Sequence, residues 1–163
     1  AEFTERKYSS AEDEIVSVNI DVRDREIQVS LSQDNQIHIT YFDSEKEFYD
    51  ISVSDDKVLT MTALFEKKWT DYIGISPSPG VKKISLEIPD SLLSSLTLST
   101  TNKDIIVKAK IDKGTLNQES YTFTRNGDFT FIAVDEYGNI AEKTVTITNI
   151  DKVKPKLKIT VGN

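Results

Sequence analysis

The sequence contains no cysteine, one histidine, one tryptophan and six glycines among its 163 residues. The lack of cysteine excludes disulfides, thiolate metal sites, iron–sulfur clusters and a cysteine nucleophile. Any catalytic triad or metal cluster must use His38 or contain no histidine, which removes most hydrolase and metalloenzyme arrangements. The glycines form no phosphate-binding loop and no G-x-S-x-G motif. We therefore predict no catalytic residue, metal site or cofactor, and a binding or structural protein is favoured.

The charge balance is acidic and narrows the classes of partner. The chain has 20 Lys and Arg against 27 Asp and Glu, a net charge of −7, and no basic block that would mark a nucleic-acid interface. No apolar run approaches the ~20 residues that cross a bilayer, and no signal segment opens the sequence. Neither a nucleic-acid partner nor a membrane-spanning segment is expected.

Apolar and polar residues alternate with a period of two along the whole chain, as they do in half-buried β-strands. Clear examples are Val16 to Val22, Ile37 to Tyr41, Leu59 to Phe65 and Ile84 to Ile88. No window of about a dozen residues shows the three-and-four spacing of a helix. The sequence therefore predicts an all-β fold.

Three polar segments are predicted to be hairpin turns between neighbouring strands. They are Ser32 to Gln36, Ser54 to Lys57 and Asn126-Gly127. The last is the strongest signal, because asparagine and glycine both tolerate the positive φ of a type I′ turn. Strands joined in this way form an antiparallel meander.

The charge distribution changes along the chain and suggests two domains. Residues 1–95 hold 10 basic and 19 acidic side chains (−9), whereas residues 96–163 hold 10 basic and 8 acidic side chains (+2). A shift of this kind supports a boundary. We place it at residue 95, which gives domains 1–95 and 96–163.

The C-terminal half resembles a known family. The segment from Tyr121 to Asn139 contains N-G-x-F-T-F-x-A-x-D-x-x-G-N, and T-N-I-D-K closes the segment from Thr144 to Lys152. Both are similar to the bacterial Ig-like repeats that occur in tandem on surface proteins. The resemblance implies a truncated Ig-like β-sandwich that acts as a spacer or binding module outside the cell.

The N-terminal half looks like the start of an adhesin family of bacterial domains of unknown function. The similar segments are Asp34 to Ile39, Tyr49 to Val53, Ile84 to Pro89 and Leu96 to Ile105. Members are all-β and commonly solenoid-like, with a repeated t-x-n-G-d-i unit in which Lys103 here replaces the glycine. The resemblance implies a short solenoid-like domain as the alternative to a meander. It also implies a non-enzymatic protein that is extracellular or on the cell surface.

A loop with exposed aromatic residues is the first candidate for a binding site. Trp69 and Tyr72 precede Pro77 and Pro79, and the two prolines together with Gly80 prevent a regular strand. Aromatic rings on such a loop could stack on a sugar or anchor a protein, so the ligand would be a glycan or a surface protein. The alternative is that Trp69 fills one end of the core.

Other readings of the same residues stay open. An envelope scaffold that holds a partner protein would need no host ligand, and a carbohydrate-active enzyme or its accessory module would need a carboxylate pair beneath the aromatic loop.

His38 is expected to face solvent, because alternation places it opposite Ile37 and Ile39. The pairs Asp55-Asp56 and Asp135-Glu136 lack calcium-loop spacing and are expected to form turns.

Overall fold

The computed structural model describes residues 2–11, 15–65 and 79–151. Within these ranges the protein is all-β, as predicted, with two short 3₁₀ helices at Pro79–Lys82 and Asp90–Leu92. The described part contains no helix that is long and apolar enough to span a membrane. The strands are β1 (Thr4–Ser9), β2 (Ser17–Asp21), β3 (Glu26–Leu31), β4 (His38–Asp43), β5 (Glu47–Val53), β6 (Val58–Phe65), β7 (Lys83–Ile88), β8 (Leu96–Thr101), β9 (Ile105–Lys108), β10 (Thr115–Leu116), β11 (Ser120–Phe123), β12 (Gly127–Val134), β13 (Ile140–Ile147) and β14 (Asn149–Asp151).

The described strands form three sheets. Sheet A has the order β1-β4-β7-β3-β9-β11, sheet B has the order β14-β8-β2-β6-β5, and sheet C has the order β10-β12-β13. In the centre of sheets A and B the strands run parallel: β3 pairs with β7 and β9, and β2 pairs with β6 and β8. In sheet A antiparallel strands flank this centre on both sides, whereas in sheet B β5 runs antiparallel to β6 and β14 runs parallel to β8. This arrangement agrees with the solenoid-like alternative and not with a meander.

Three segments cross from sheet B to sheet A, and we call each of them a coil. They are β2–β3, β6–β7 and β8–β9, and the first coil in the chain lies between the other two in both sheets.

The predicted hairpin at Ser32 to Gln36 is wrong, because β7 lies between β3 and β4. The predicted turn at Ser54 to Lys57 is confirmed: it joins β5 to β6, with the Ser54 amide donating to the Val58 carbonyl (3.0 Å).

The coils β2–β3 and β8–β9 are structurally equivalent. Val18 pairs with Leu96 in sheet B and Ile27 pairs with Ile105 in sheet A, so the stretch from Val18 to Ile27 matches the stretch from Leu96 to Ile105 in length. The chain between the paired positions thus has the same length in both coils. Asp24 and Asn102 occupy matching places in it, with φ of 54° and 59°, and short polar side chains tolerate this left-handed conformation best after glycine.

The β6–β7 coil differs from the other two by an insertion. Leu59 and Ile84 are the partners of Val18 and Ile27, yet the chain between Leu59 and Ile84 is much longer than the chain between Val18 and Ile27. This longer connection contains the predicted aromatic loop.

The core consists of aliphatic side chains stacked along the sheets. In sheet A, Ile27 lies between Ile84 and Ile105, and each of these three side chains is 0% exposed. In sheet B, Ile20 lies between Met61 and Leu98. Burial of one such side chain contributes about 1.5–3 kcal/mol relative to its exposure, so these stacks hold the coils in register.

The strands on the two sides of residue 95 share both large sheets. β8 is hydrogen-bonded to β2 and β9 to β3, and one core cluster extends from Val18 to Ile150. The change in charge near residue 95 therefore does not coincide with a break in the hydrogen bonding. Sheet C contributes Phe131 and Val145 to the same core cluster.

The predicted type I′ hairpin at Asn126-Gly127 is wrong. β11 pairs with β9 and β12 pairs with β13, so the two strands beside this dipeptide are not partners. The Asn126 side chain instead accepts a hydrogen bond from the Ile150 amide (2.7 Å). This bond connects the start of β12 to β14.

Candidate functional site

Most of the predicted aromatic site falls outside the described residues. This applies to Trp69, Tyr72 and Pro77, whereas Pro79 begins the first 3₁₀ helix. The structure does describe both ends of the connection, at Phe65 and Lys82. The surroundings of the loop can therefore be read from its two attachment points.

Both ends of this connection contact the turn of the first coil. The Nζ of Lys82 donates a hydrogen bond to the Asp24 carboxylate, in an ion pair whose side chains are 17% and 35% exposed. The guanidinium of Arg25 lies over the ring of Phe65, 4.9 Å from its centroid, which is a cation–π distance. The predicted loop is thus tied to one turn at both ends.

Arg25 is a buried charge that the sequence did not reveal. Its side chain is 0% exposed, and Nη2 donates to Glu47 Oε1 at 3.2 Å. Nη1 donates to the Asp24 carbonyl (2.9 Å), and the Thr100 hydroxyl donates to the Arg25 carbonyl (2.6 Å). No sequence signal distinguishes Arg25 from the exposed Arg23, because both lie in one polar turn.

Tyr49 completes this cluster of buried polar groups. Its hydroxyl and the Nε of Arg25 are buried, and neither makes a well-directed hydrogen bond with a described residue, although the Arg25 side chain is close enough to act on the Tyr49 hydroxyl. Burial raises the pKa of Tyr49 to about 12, against the opposing effect of the positive charge on Arg25. The ring packs edge-on against Tyr41 and Phe65 (centroid distances 5.4 and 5.6 Å). Tyr49 is therefore neutral at physiological pH and acts through packing.

A second candidate site is a groove at the ends of β3 and β9. Its open volume is about 840 Å³, within the usual range of ligand pockets. It is lined by Ser30, Leu31, Lys108, Ala109, Lys110, Ile111, Gly114, Thr115, Leu116, Glu119 and Ser120. Sequence reasoning missed the groove because its walls come from segments that are distant in the chain.

The groove opens where sheet A splits. The pairing of β3 with β9 ends at Val29 and Val107, although β3 continues to Leu31 beside β7. Beyond this point the chain turns from β9 toward sheet C. Gly114 is required in that bend, since its φ is +133° and a Cβ there would lie 2.1 Å from the Val134 carbonyl oxygen.

His38 joins two other polar side chains in a hydrogen-bonded chain. Its Nδ1 lies 2.8 Å from Ser9 Oγ, and its Nε2 lies 2.9 Å from Asp34 Oδ2. The His38 side chain is 29% exposed, so the expected solvent-facing position is only partly right. The Gln36 amide, followed by His38, holds the pKa of Asp34 below its usual value.

The chain Ser9–His38–Asp34 has the residue types of a hydrolase triad, but its surroundings favour a structural role. The two backbone amides nearest to Ser9 and His38 along the chain are already used: Ser10 donates to the Ile37 carbonyl, and Ile37 donates to the Ser10 hydroxyl. Neither can serve as an oxyanion donor. None of the three side chains lines the groove. These three hydrogen-bonded side chains join β1 and the Ser32–Gln36 loop to β4.

The predicted acidic turns are confirmed. Asp135 Oδ1 accepts hydrogen bonds from the amides of Tyr137 and Asn139, and Gly138 has φ of +85°. The side chain and amide of Asn139 are the main causes that lower the pKa of Asp135. Asp55 and Asp56 lie in the turn before Lys57, whose φ is 63°. In the described ranges, no group of three or more His, Cys, Asp or Glu side chains could hold a metal ion.

Comparison with known proteins gives no relative from which a function could be transferred. The chain matches no protein-family model, no curated protein and no solved structure. Its function must therefore be argued from the sites described above.

Proposed function

We propose that the protein is a non-catalytic binding module of the bacterial cell surface or envelope. The observation that carries this proposal is the groove at the split in sheet A, which presents backbone, lysine and apolar groups at one open site. The resemblance to adhesin and Ig-like surface domains supports an extracellular or surface location. In this proposal the coils are the scaffold, and the groove and the aromatic loop are the two places where a ligand binds.

The aromatic loop remains part of the proposal. Trp69, Tyr72, Pro77 and Pro79 belong to an insertion that the other two coils lack, and additional loops on a rigid scaffold commonly carry binding function. Both ends of the insertion contact Asp24 or Arg25. A ligand at this loop would be a glycan or a surface protein.

A binding panel tests the proposal. The labelled full chain is applied to arrayed glycans, mucin, matrix proteins and cell-wall fractions. The Trp69→Ala/Tyr72→Ala and the Lys108→Glu/Lys110→Glu variants are applied in parallel. We expect a specific signal that one of the two variants reduces at least about tenfold, since a few residues carry most of the energy of an interface.

The outcomes separate the candidate functions. Loss in the loop variant places the ligand on the aromatic loop, and loss in the lysine variant places it in the groove. A signal that neither variant changes contradicts both sites. If all folded proteins give no signal, a surface-binding role is contradicted, and the envelope scaffold that binds a partner protein becomes the better reading.

A further inference from the structure

We infer that the groove takes an extended acidic peptide from a partner protein, which adds as a strand to the free end of β3. This inference rests on the proposed binding function and specifies the ligand of one of its two sites. Two unpaired backbone edges and the charge of the groove carry it.

The first unpaired edge is the end of β3. In a parallel ladder the backbone groups of alternate residues point to opposite neighbours. The Ile27 amide donates to the Asp104 carbonyl on the β9 side (3.2 Å), and the Ser32 amide donates to the Ile88 carbonyl on the β7 side (2.7 Å). By this alternation the amide and carbonyl of Leu31 point toward the β9 side. No described strand pairs with β3 there, because the pairing with β9 ends at Val29.

The second unpaired edge is β10, which also borders the groove. β10 is the end strand of sheet C and pairs only with β12 among the described strands. Both of its residues, Thr115 and Leu116, line the groove. Unpaired strand edges are templates for another strand, and an extended peptide offers the alternating amides and carbonyls that they require. A glycan has no such backbone.

The charge of the groove selects an acidic peptide. Lys108 and Lys110 are exposed and line the groove with Glu119 as its one acidic residue. Within the described part of the chain, neither lysine forms an ion pair with a described carboxylate. The groove is therefore positive on a protein whose net charge is −7. Complementary charge favours acidic side chains on the incoming strand.

Apolar side chains supply the rest of the site. Leu31, Ile111 and Leu116 line the groove and are each partly exposed. Successive side chains of an extended peptide point to opposite sides. A bound strand can therefore direct apolar side chains toward these three residues and acidic side chains toward the lysines.

The test is a selection from a display library of random heptapeptides on the immobilised full chain. Counter-selection uses the Lys108→Glu/Lys110→Glu variant. We expect the enriched peptides to be acidic, to alternate with apolar residues and to lack proline. A selected peptide should bind the Lys108→Glu/Lys110→Glu variant at least about tenfold more weakly than the parent protein. The matched control is Lys7→Glu/Arg125→Glu, which changes the same total charge at two exposed sites outside the groove and should leave the affinity unchanged.

Methylation of the peptide backbone tests strand addition itself. A selected peptide that is N-methylated at alternate amides loses hydrogen-bond donors but keeps its side chains. We expect at least one of the two methylation patterns to abolish binding. Undiminished binding by both methylated forms, enrichment of basic peptides, or no groove-dependent enrichment would overturn the inference. If the panel still finds a ligand that depends on Trp69 and Tyr72, the proposed function stands while this inference fails.

Discussion

At the scale of single residues, Arg25 carries a full charge inside the protein. Its bonds to Glu47 and to the Asp24 carbonyl, together with the ring of Phe65, replace the water that it loses on folding. Buried ion pairs add little net stability over an apolar pair of similar volume, but the loss of one partner leaves the other charge buried. Arg25 is therefore a charge that is costly to leave unpaired, in the turn that both ends of the β6–β7 connection contact.

We predict that Arg25→Met lowers the free energy of unfolding by about 3–5 kcal/mol, because Glu47 loses its buried counter-charge. Urea denaturation of the full chain measures the effect. The matched control is Arg23→Met, which changes an exposed arginine in the same turn and should cost no more than ~0.5 kcal/mol. Equal effects of the two substitutions would show that the buried pair contributes nothing.

Tyr49→Phe should leave the stability unchanged or raise it by about 1 kcal/mol, because the buried hydroxyl makes no well-directed hydrogen bond and a poorly satisfied buried polar atom costs about 1–3 kcal/mol. The aromatic packing against Tyr41 and Phe65 is kept. Thermal unfolding monitored by circular dichroism measures the change, and a clear fall in Tm would show that the hydroxyl makes a stabilising bond.

The Asp135 turn predicts a pH-dependent contribution to stability. Its pKa is lowered from the usual 3.8, so the folded state favours the ionised form. The contribution is then fully present above about pH 4 and is lost as the pH falls through the lowered pKa. We expect Asp135→Ala to have a lower Tm than the parent at pH 7, and this gap to close toward pH 3. A gap that stays constant with pH would contradict the assignment.

At the scale of elements, the sequence predicted individual strands better than their partners. Alternation identified strands such as β3 and β7, but its period of two is the same for parallel and antiparallel pairing. The equivalence of the coils β2–β3 and β8–β9 was therefore not anticipated, although S-V-N-I-D-V-R-D-R-E-I-Q-V and S-L-T-L-S-T-T-N-K-D-I-I-V share four apolar positions, at Val18/Leu96, Ile20/Leu98, Ile27/Ile105 and Val29/Val107.

Turns were predictable where their hydrogen bonds join residues that are close in the sequence. The turn at Asp135 closes through its own neighbours, and Ser54 to Lys57 joins two strands that pair with each other. The hairpin predicted at Asn126-Gly127 was wrong because the conformation there depends on groups distant in the chain. These are β9, which pairs with β11, and the amide of Ile150. The groove was not predicted for the same reason, since it forms where β3 and β9, which are distant in the sequence, separate.

The stacked core of the coils predicts a large effect from one substitution. Ile27→Ala removes a side chain that lies between Ile84 and Ile105, and we expect it to lower the free energy of unfolding by about 2–5 kcal/mol. Equilibrium denaturation measures the loss. Ser85→Ala, on the exposed face of the adjoining strand, should have little effect. A loss below ~1 kcal/mol for Ile27→Ala would mean that the stack is loosely packed.

At the scale of the whole molecule, the shared sheets predict that the chain folds as one cooperative unit. The fragment 1–95 lacks β8 and β9, which pair with the central strands β2 and β3. We expect this fragment to show no cooperative thermal unfolding and little dispersion of its amide NMR signals, whereas the full chain shows both. A cooperatively folded fragment would instead support two separate domains with a boundary at residue 95.

The position of the first coil between the second and third also affects the order in which the strands pair during folding. During synthesis the segment β2–β3 emerges early, yet one of its two neighbours in each sheet, β8 or β9, belongs to the later part of the chain. Contacts between such distant segments form slowly, because a long loop must close before they bring any gain. We therefore expect the two central strands β2 and β3 to complete their pairing only after β8 and β9 have been made.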